Sequence, residues 1–392
     1  MMNGRIYLDH NATSPLRPPA RAAMMAALTS FGNASSVHAE GRAAYAEVVA
    51  ARAKVADLVG ADSKAVTFTS GATESVALAL SPVLEIEGRP FRCDVLMISA
   101  VEHPAVRAGG RFAAEEIETI PVDRDGVIDL TVLEAALARH QAAGRRALVS
   151  VMAANNETGT IEPLAKIAER VHAAGGLFHT DAVQIAGRVP FDLAVSGADL
   201  ISISSHKLGG PQGAGALIVR DEAIRVPPML RGGGQERGRR AGTENVAAIT
   251  GFGVAAESAA LLVAEETGRL AGLRDRLEEG IRAIAPDTVI LGARAPRLPN
   301  TTCFAVPGIA AETAVIAFDL EGVAVSAGAA CSSGKVGPSE ALAAMKVPAE
   351  IAKGAVRVSL GWNTVEDDLA RFLLVWKRIH SNLAQRRSER AA

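Results

Sequence analysis

A lysine and a carboxylate stand at the ends of two apolar segments of this chain. The run Asp199-Leu200-Ile201-Ser202-Ile203-Ser204 is short and rich in isoleucine. It leads into Ser205-His206-Lys207, followed by Gly209, Gly210, Gly213 and Gly215. That pattern predicts a buried strand delivering a lysine to a loop. Gly176-Leu177-Phe178-His179-Thr180-Asp181 delivers an acid in the same way. A lysine and a carboxylate at the ends of neighbouring strands suit pyridoxal phosphate: Lys207 forms the Schiff base and Asp181 keeps the pyridine nitrogen protonated. A lone lysine after a strand is ordinarily a solvated charge, and a lone Asp ordinarily a turn former. The pair gains its meaning from the residues around it.

Thr69-Ser70-Gly71-Ala72-Thr73-Glu74-Ser75 joins a strand to a helix. Ala72 and Thr73 would present backbone N–H groups to an anion at the helix start, and Thr73 adds a hydroxyl. Alone, the segment is equally an ordinary capped helix start. Ser204 and His206 add phosphate donors beside the lysine. His103, in Glu102-His103-Pro104, follows a strand, where an imidazole can stack on a planar cofactor and move protons near neutral pH. Asn155 ends another strand with an amide, and Arg357 lies within a strand; together they could grip a carboxylate. Cys331 lies in Ser326-Ala327-Gly328-Ala329-Ala330-Cys331-Ser332-Ser333-Gly334-Lys335. Small residues and two glycines predict a flexible, exposed loop, with Lys335 close enough to favour a thiolate. A mobile nucleophilic thiol is what sulfur transfer needs, whereas transamination needs none.

These residues require a scaffold. Strands are expected at 66–69, 95–99, 147–152, 177–180, 200–204 and 216–219. Helices are expected at 43–59, 72–80, 103–116, 129–141 and 163–174. Strands separated by helical stretches imply crossover units, hence an α/β fold with a mostly parallel sheet flanked by helices. Such sheets bind ligands beyond the carboxyl ends of their strands, where residues 69–71, 155–156, 181 and 206–207 all fall. After residue 251 a long helical stretch, then strands near 303–306 and 356–360, predict a smaller α+β domain. The expected division is residues 18–255 for the large cofactor-binding domain, with 1–17 and 256–392 forming the small one.

Composition narrows the function classes. Lys and Arg total 41 against 43 Asp and Glu, so no basic excess points to nucleic acid. Aromatic residues make up only 4%, which gives no base-stacking surface. Three cysteines, Cys93, Cys303 and Cys331, with no CxxC pair, suit a reducing compartment and neither a disulfide framework nor structural zinc. No uninterrupted apolar stretch reaches ~18 residues, so no membrane span is expected. A cytoplasmic enzyme follows. No GxxxxGK[ST] loop is present, which disfavours nucleotide-phosphate chemistry.

Nine segments in order then resemble the cysteine desulfurases of the NifS/IscS type, in the class V branch of fold-type I pyridoxal-phosphate enzymes. They include Ile6-Tyr7-Leu8-Asp9-His10-Asn11-Ala12-Thr13, residues 32–38, 70–75, Glu102-His103-Pro104, residues 155–159, 179–184, Ser205-His206-Lys207-Leu208, residues 240–243 and Arg357-Val358-Ser359-Leu360-Gly361. The resemblance covers nearly the whole chain. It implies Lys207 as Schiff-base lysine, Asp181 as pyridinium partner, His103 as the ring-stacking residue and Gln184 as donor to the cofactor's phenolic oxygen. It implies Ala72, Thr73, Ser204 and His206 as phosphate ligands, with Thr243 supplied by the second subunit of a homodimer. Asn155 and Arg357 would hold the carboxylate of L-cysteine, and Cys331 would form the persulfide. No resident metal is implied, although Cys331 could transiently ligate an iron–sulfur cluster. The product would be L-alanine, and the sulfur would pass to an acceptor such as an iron–sulfur scaffold protein. Two positions depart from the family pattern: Ser205 stands where many relatives have Gly, and Gly209 where they have a bulkier residue.

Overall fold

The computed structural model describes residues 4–328 and 339–391. Seven strands form the large sheet: β1 (Val66–Thr69), β2 (Val95–Ser99), β3 (Ile117–Ile120), β4 (Ala147–Ser150), β5 (Leu177–Asp181), β6 (Leu200–Ser204) and β7 (Gly215–Val219). Their order across the sheet is β1-β7-β6-β5-β4-β2-β3. Every pairing from β6 to β3 is parallel, and β7 alone runs antiparallel, to both β1 and β6. β1, β2, β4, β5, β6 and β7 are buried at every residue. That explains their nearly continuous apolar runs, as expected for strands covered on both faces.

The expected helix at 103–116 does not form. Only Pro104–Arg107 is α-helical, and a short 3₁₀ turn follows at Ala114–Glu116. Gly109 and Gly110 both take positive φ (77° and 58°), and a Cβ on Gly110 would sit 2.6 Å from the Leu80 carbonyl oxygen. The chain turns there because only glycine fits. This turn feeds β3, an edge strand that the apolar pattern did not announce.

A second sheet holds β8 (Val289–Ile290), β9 (Thr301–Ala305), β10 (Ser326–Ala327) and β11 (Val356–Ser359), in the order β8-β9-β11-β10 and antiparallel throughout. The helix Glu366–Ala391 packs beside it. Its Trp376 ring lies 5.9 Å from Phe318, nearly parallel, and meets Phe304 edge-on at 5.4 Å. Leu8, from the chain's first segment, joins this core.

One helix links the two sheets. Val246–Ile284 is 39 residues long. Ala248, Ile249, Phe252, Ala255, Ala256 and Ala259 pack into the large-sheet core. Leu270, Leu273, Leu277 and Ile281 pack into the small-sheet core. By length and composition this helix could cross a membrane, yet half of its most apolar window is buried inside the protein. No uninterrupted apolar stretch of that length is present, and the helix passes on mean hydropathy alone. Scattered Thr, Gly, Ser and Glu residues interrupt the apolar run without lowering its mean hydropathy.

Candidate active site

Parallel strands β4, β5 and β6 end side by side, and the site lies beyond their carboxyl ends. Asp181 is the last residue of β5, while Lys207 closes a short 3₁₀ turn immediately after β6. A cavity of about 570 Å³ opens there, lined by Ala72, Thr73, His103, Asp181, Gln184, Ser204, His206 and Lys207. The sequence expectation thus gathers eight of its residues in one place.

One end of the cavity is built by the start of the helix Ala72–Ala79. Its first turn leaves N–H groups without an acceptor inside the helix. Glu74 accepts from the Ser70 N–H at 2.8 Å and pairs with Arg240 at 2.9 Å, which locks the preceding loop. Gly215 of β7 lies directly against that loop: a Cβ there would come within 2.6 Å of the Gly71 carbonyl carbon. Gly71 itself faces open space. The result is a cradle of backbone donors completed by the Thr73 and Ser204 hydroxyls and by His206.

Asp181 is buried, and its Oδ1 accepts from the Val183 N–H at 3.0 Å. Burial pushes its carboxyl upward, while the Val183 N–H, His103 and Lys207 pull it back. A cationic ring nitrogen held against it would relieve that desolvation. His103 Nδ1 accepts from the Ala105 N–H at 3.2 Å, capping its short helix. The neutral ring therefore carries its proton on Nε2. Burial, then Lys207, lower the His103 pKa against the pull of Asp181. His206 is lowered to about 4 through burial, Lys207 and Arg188. The Lys207 ammonium donates to the Ala12 carbonyl at 2.7 Å and to the Asn11 carbonyl. Cavity size, donor cradle, buried acid and nearby amine all fit pyridoxal phosphate.

The remaining expected residues lie elsewhere. Asn155 does not line the cavity. Its Oδ1 accepts from the N–H groups of Glu157 and Thr158, and its Nδ2 donates to the Val101 carbonyl at 3.3 Å. It shapes the loop that brings its neighbour Asn156 to the cavity wall. Arg357, 1% exposed, pairs with Asp9 at 2.7 Å and donates to the Asn156 carbonyl at 2.9 Å. It therefore underlies that wall. Thr243 is exposed and away from this cavity. Cys331 lies outside the described residues. Cys93 and Cys303 are buried, and burial pushes both thiols up to about 12.

Sequence reading missed the structural part played by the N-terminal segment. Ala12 and Thr13 line the cavity, and Thr13 Oγ1 lies 3.1 Å from His206 Nδ1. It also missed Arg188, which bonds Gln184 and the segment around Asn11. The nine-segment match held Asn11 and Thr13, but nothing in the local pattern marked Arg188. At Gly209, φ is +82°, and a Cβ would meet Arg17 and Trp362. The Arg17 guanidinium lies 5.5 Å from the Trp362 ring. Those two side chains occupy the space that a bulkier residue would need.

The aminotransferase class-V family model matches residues 6–372. The chain is 45% identical to a cysteine desulfurase of Cereibacter sphaeroides over 377 residues, covering 95% of this chain and 94% of that one. It is 41% identical to the cysteine desulfurase IscS of Dictyoglomus turgidum, covering 97% and 98%. Among solved structures it is similar to a NifS-like protein from Rickettsia africae, with a TM-score of 0.86 and 34% identity, covering 96% and 99%. Sequence, fold and site thus agree, and the chain belongs to the class-V aminotransferases and, within them, to the pyridoxal-phosphate-dependent cysteine desulfurases.

Proposed function

We propose that this protein takes sulfur from L-cysteine, releases L-alanine and holds the sulfur as a persulfide on Cys331. The observation behind this reading is the convergence of Lys207, Asp181 and His103 on one cavity, in a chain that also carries the family's cysteine. The balance is L-cysteine plus the Cys331 thiol giving L-alanine plus the Cys331 persulfide. Bound pyridoxal phosphate supplies an electron sink for the substrate's α-carbon. The Ala72–Ala79 helix start, Thr73, Ser204 and His206 would hold its phosphate, and Asp181 would pair with its ring nitrogen. The Lys207 amine takes the α-proton from the substrate. His103 Nε2–H lies in the same cavity and serves the substrate thiol as proton donor and acceptor. Arg357 and the Asn155–Asn156 loop orient the carboxylate, and the Cys331 thiolate attacks the substrate sulfur.

A homodimer fits two features. Met25, Leu28, Phe31, Val37, Tyr45 and Val49 are large, exposed and gathered on two successive helices and their connection. Thr243 is exposed and free to serve a partner's site. The sparse cysteines suit a cytoplasmic setting, and the acceptor of the sulfur is an iron–sulfur scaffold or similar protein.

The test uses purified protein and L-cysteine. Alanine and persulfide should form in equal amounts in the first turnover. Cys331→Ala should keep the cofactor absorbance and form no persulfide. Lys207→Ala should yield no pyridoxyl adduct at residue 207 after borohydride. Undiminished sulfide release by Cys331→Ala would overturn the assignment of the nucleophile.

A further inference from the structure

Arg188 is a buried cation whose hydrogen-bond acceptors are all neutral. Its Nη1 donates to Gln184 Oε1 at 2.5 Å and to Asn11 Oδ1 at 2.6 Å, and its Nη2 donates to the His10 carbonyl at 3.0 Å. Among the described residues no carboxylate pairs with it. Arg357 acts electrostatically on Arg188, and Arg188 in turn acts on His10 and His206; all three of these groups are basic. Burial and Arg357 push its own pKa down to about 9. A buried cation without an acid is costly, so its acceptors show what the charge is used for.

The first acceptor is the amide oxygen of Gln184, which lines the cavity. With Oε1 claimed by a guanidinium, the amide has only N–H to offer. Gln184 Nε2 donates to the Asn11 carbonyl at 3.1 Å, and the same carbonyl accepts from Lys207. The second acceptor, Asn11 Oδ1, fixes the segment whose carbonyls receive the lysine. Arg188 itself is anchored: its carbonyl accepts from Thr267 Oγ1 of the long helix at 3.0 Å. The preceding Gly187, with φ +70°, packs against Ala259 and Leu208.

We infer that Arg188 is a positioning residue, which fixes the Gln184 amide with its N–H end toward the cofactor and so sets the proton affinity of the Lys207 imine. This rests on the cofactor reading above. A donor on the phenolic oxygen stabilises negative charge there, and a nearby cation disfavours a second one on the imine nitrogen. Both lower the imine's proton affinity. Losing Arg188 frees the amide to flip and removes the charge, so the affinity must rise.

The experiment titrates the visible absorbance of the lysine-bound cofactor against pH. It compares wild type, Arg188→Gln, Arg188→Lys, Gln184→Ala and the Arg188→Gln/Gln184→Ala double variant. Arg188→Gln should raise the imine pKa by about one unit, a tenfold change in proton affinity. Arg188→Lys keeps the charge but holds fewer acceptors, so it should fall between wild type and Arg188→Gln, and it serves if Arg188→Gln does not fold. In the Gln184→Ala background the Arg188→Gln change should shift the imine pKa clearly less, because only the share of the charge remains. An unshifted titration in both Arg188 variants overturns the inference. An equal shift with and without Gln184 overturns it too, since the effect would then be charge alone. A wild type with no titrating chromophore would instead defeat the cofactor reading beneath it.

Discussion

At the scale of single residues, Asp181 shows how burial and function oppose each other. The fold pushes its carboxyl up by desolvation, yet the role proposed for it needs the charged form. A protonated ring nitrogen reconciles the two. Asp181→Asn keeps size and removes the charge. The variant should retain cofactor absorbance, because Lys207 is untouched. Its kcat should fall on the order of a hundredfold or more, the scale seen when a preorganised electrostatic partner is removed. Steady-state alanine formation beside an absorbance spectrum checks both halves. The residues that sequence made legible are those whose chemistry is rare at strand ends: Lys207, Asp181 and His103. Arg188 and the part played by Asn11 were not legible as a pair. They meet across 177 positions, and no local pattern encodes such a contact. Asn155 was placed by motif, but its side-chain Oδ1 is used up by N–H groups two and three residues on.

At the scale of elements, the phosphate cradle depends on a close approach between β7 and the loop before the helix Ala72–Ala79. Gly215 pairs with Thr69 on one side and Ser204 on the other. Gly215→Ala would drive a methyl to 2.6 Å from the Gly71 carbonyl carbon, where only backbone can yield. Overpacking of this kind costs about 1–3 kcal/mol. The variant should bind pyridoxal phosphate at least about tenfold more weakly. Fluorescence titration of the apoprotein and a melting curve together separate cradle damage from general instability. Six of the seven large-sheet strands were legible because they are buried on both faces and bounded by turn residues. β3 was not, since its burial is partial and its sequence, Ile-Glu-Thr-Ile, carries only weak alternation. A second omission was the hairpin Val83–Ile86 and Arg89–Arg92. Its turn residues, Glu87 and Gly88, both take positive φ, at 52° and 74°. Tight hairpins of that hand favour such conformations, but Glu is a poor advertisement for one. The mistaken helix at 103–116 was a failure to weigh two adjacent glycines.

At the scale of the whole molecule, buried titratable groups set the pH response. Burial and Asp123 push Glu162 up to about 8, although its Oε2 accepts from the Ile128 N–H. The folded state therefore keeps this proton up to about 8, while the unfolded chain releases it near the ordinary carboxylate value of 4.5. Stability from this group is fully present below 4.5 and is lost as pH rises through about 8. Three histidines act in the opposite sense. His10 and His179 are lowered to about 3, and His206 to about 4, chiefly by burial. Their contribution is present above the ordinary value of 6.5 and is lost as pH falls below it. Glu162→Gln isolates the first trend. Its stability relative to wild type should rise with pH across the window between 4.5 and about 8, by on the order of a few kcal/mol. Urea unfolding of the two proteins at several pH values measures that difference, and a gap that stays constant would remove Glu162 as its source.

The 39-residue helix Val246–Ile284 has a mechanical corollary. Because a single rod is anchored in both hydrophobic interiors, they share one axle, and a pivot of one against the other would have to bend it. An opening that admits an amino acid without bending that rod is confined to the strand-end connections around the pocket.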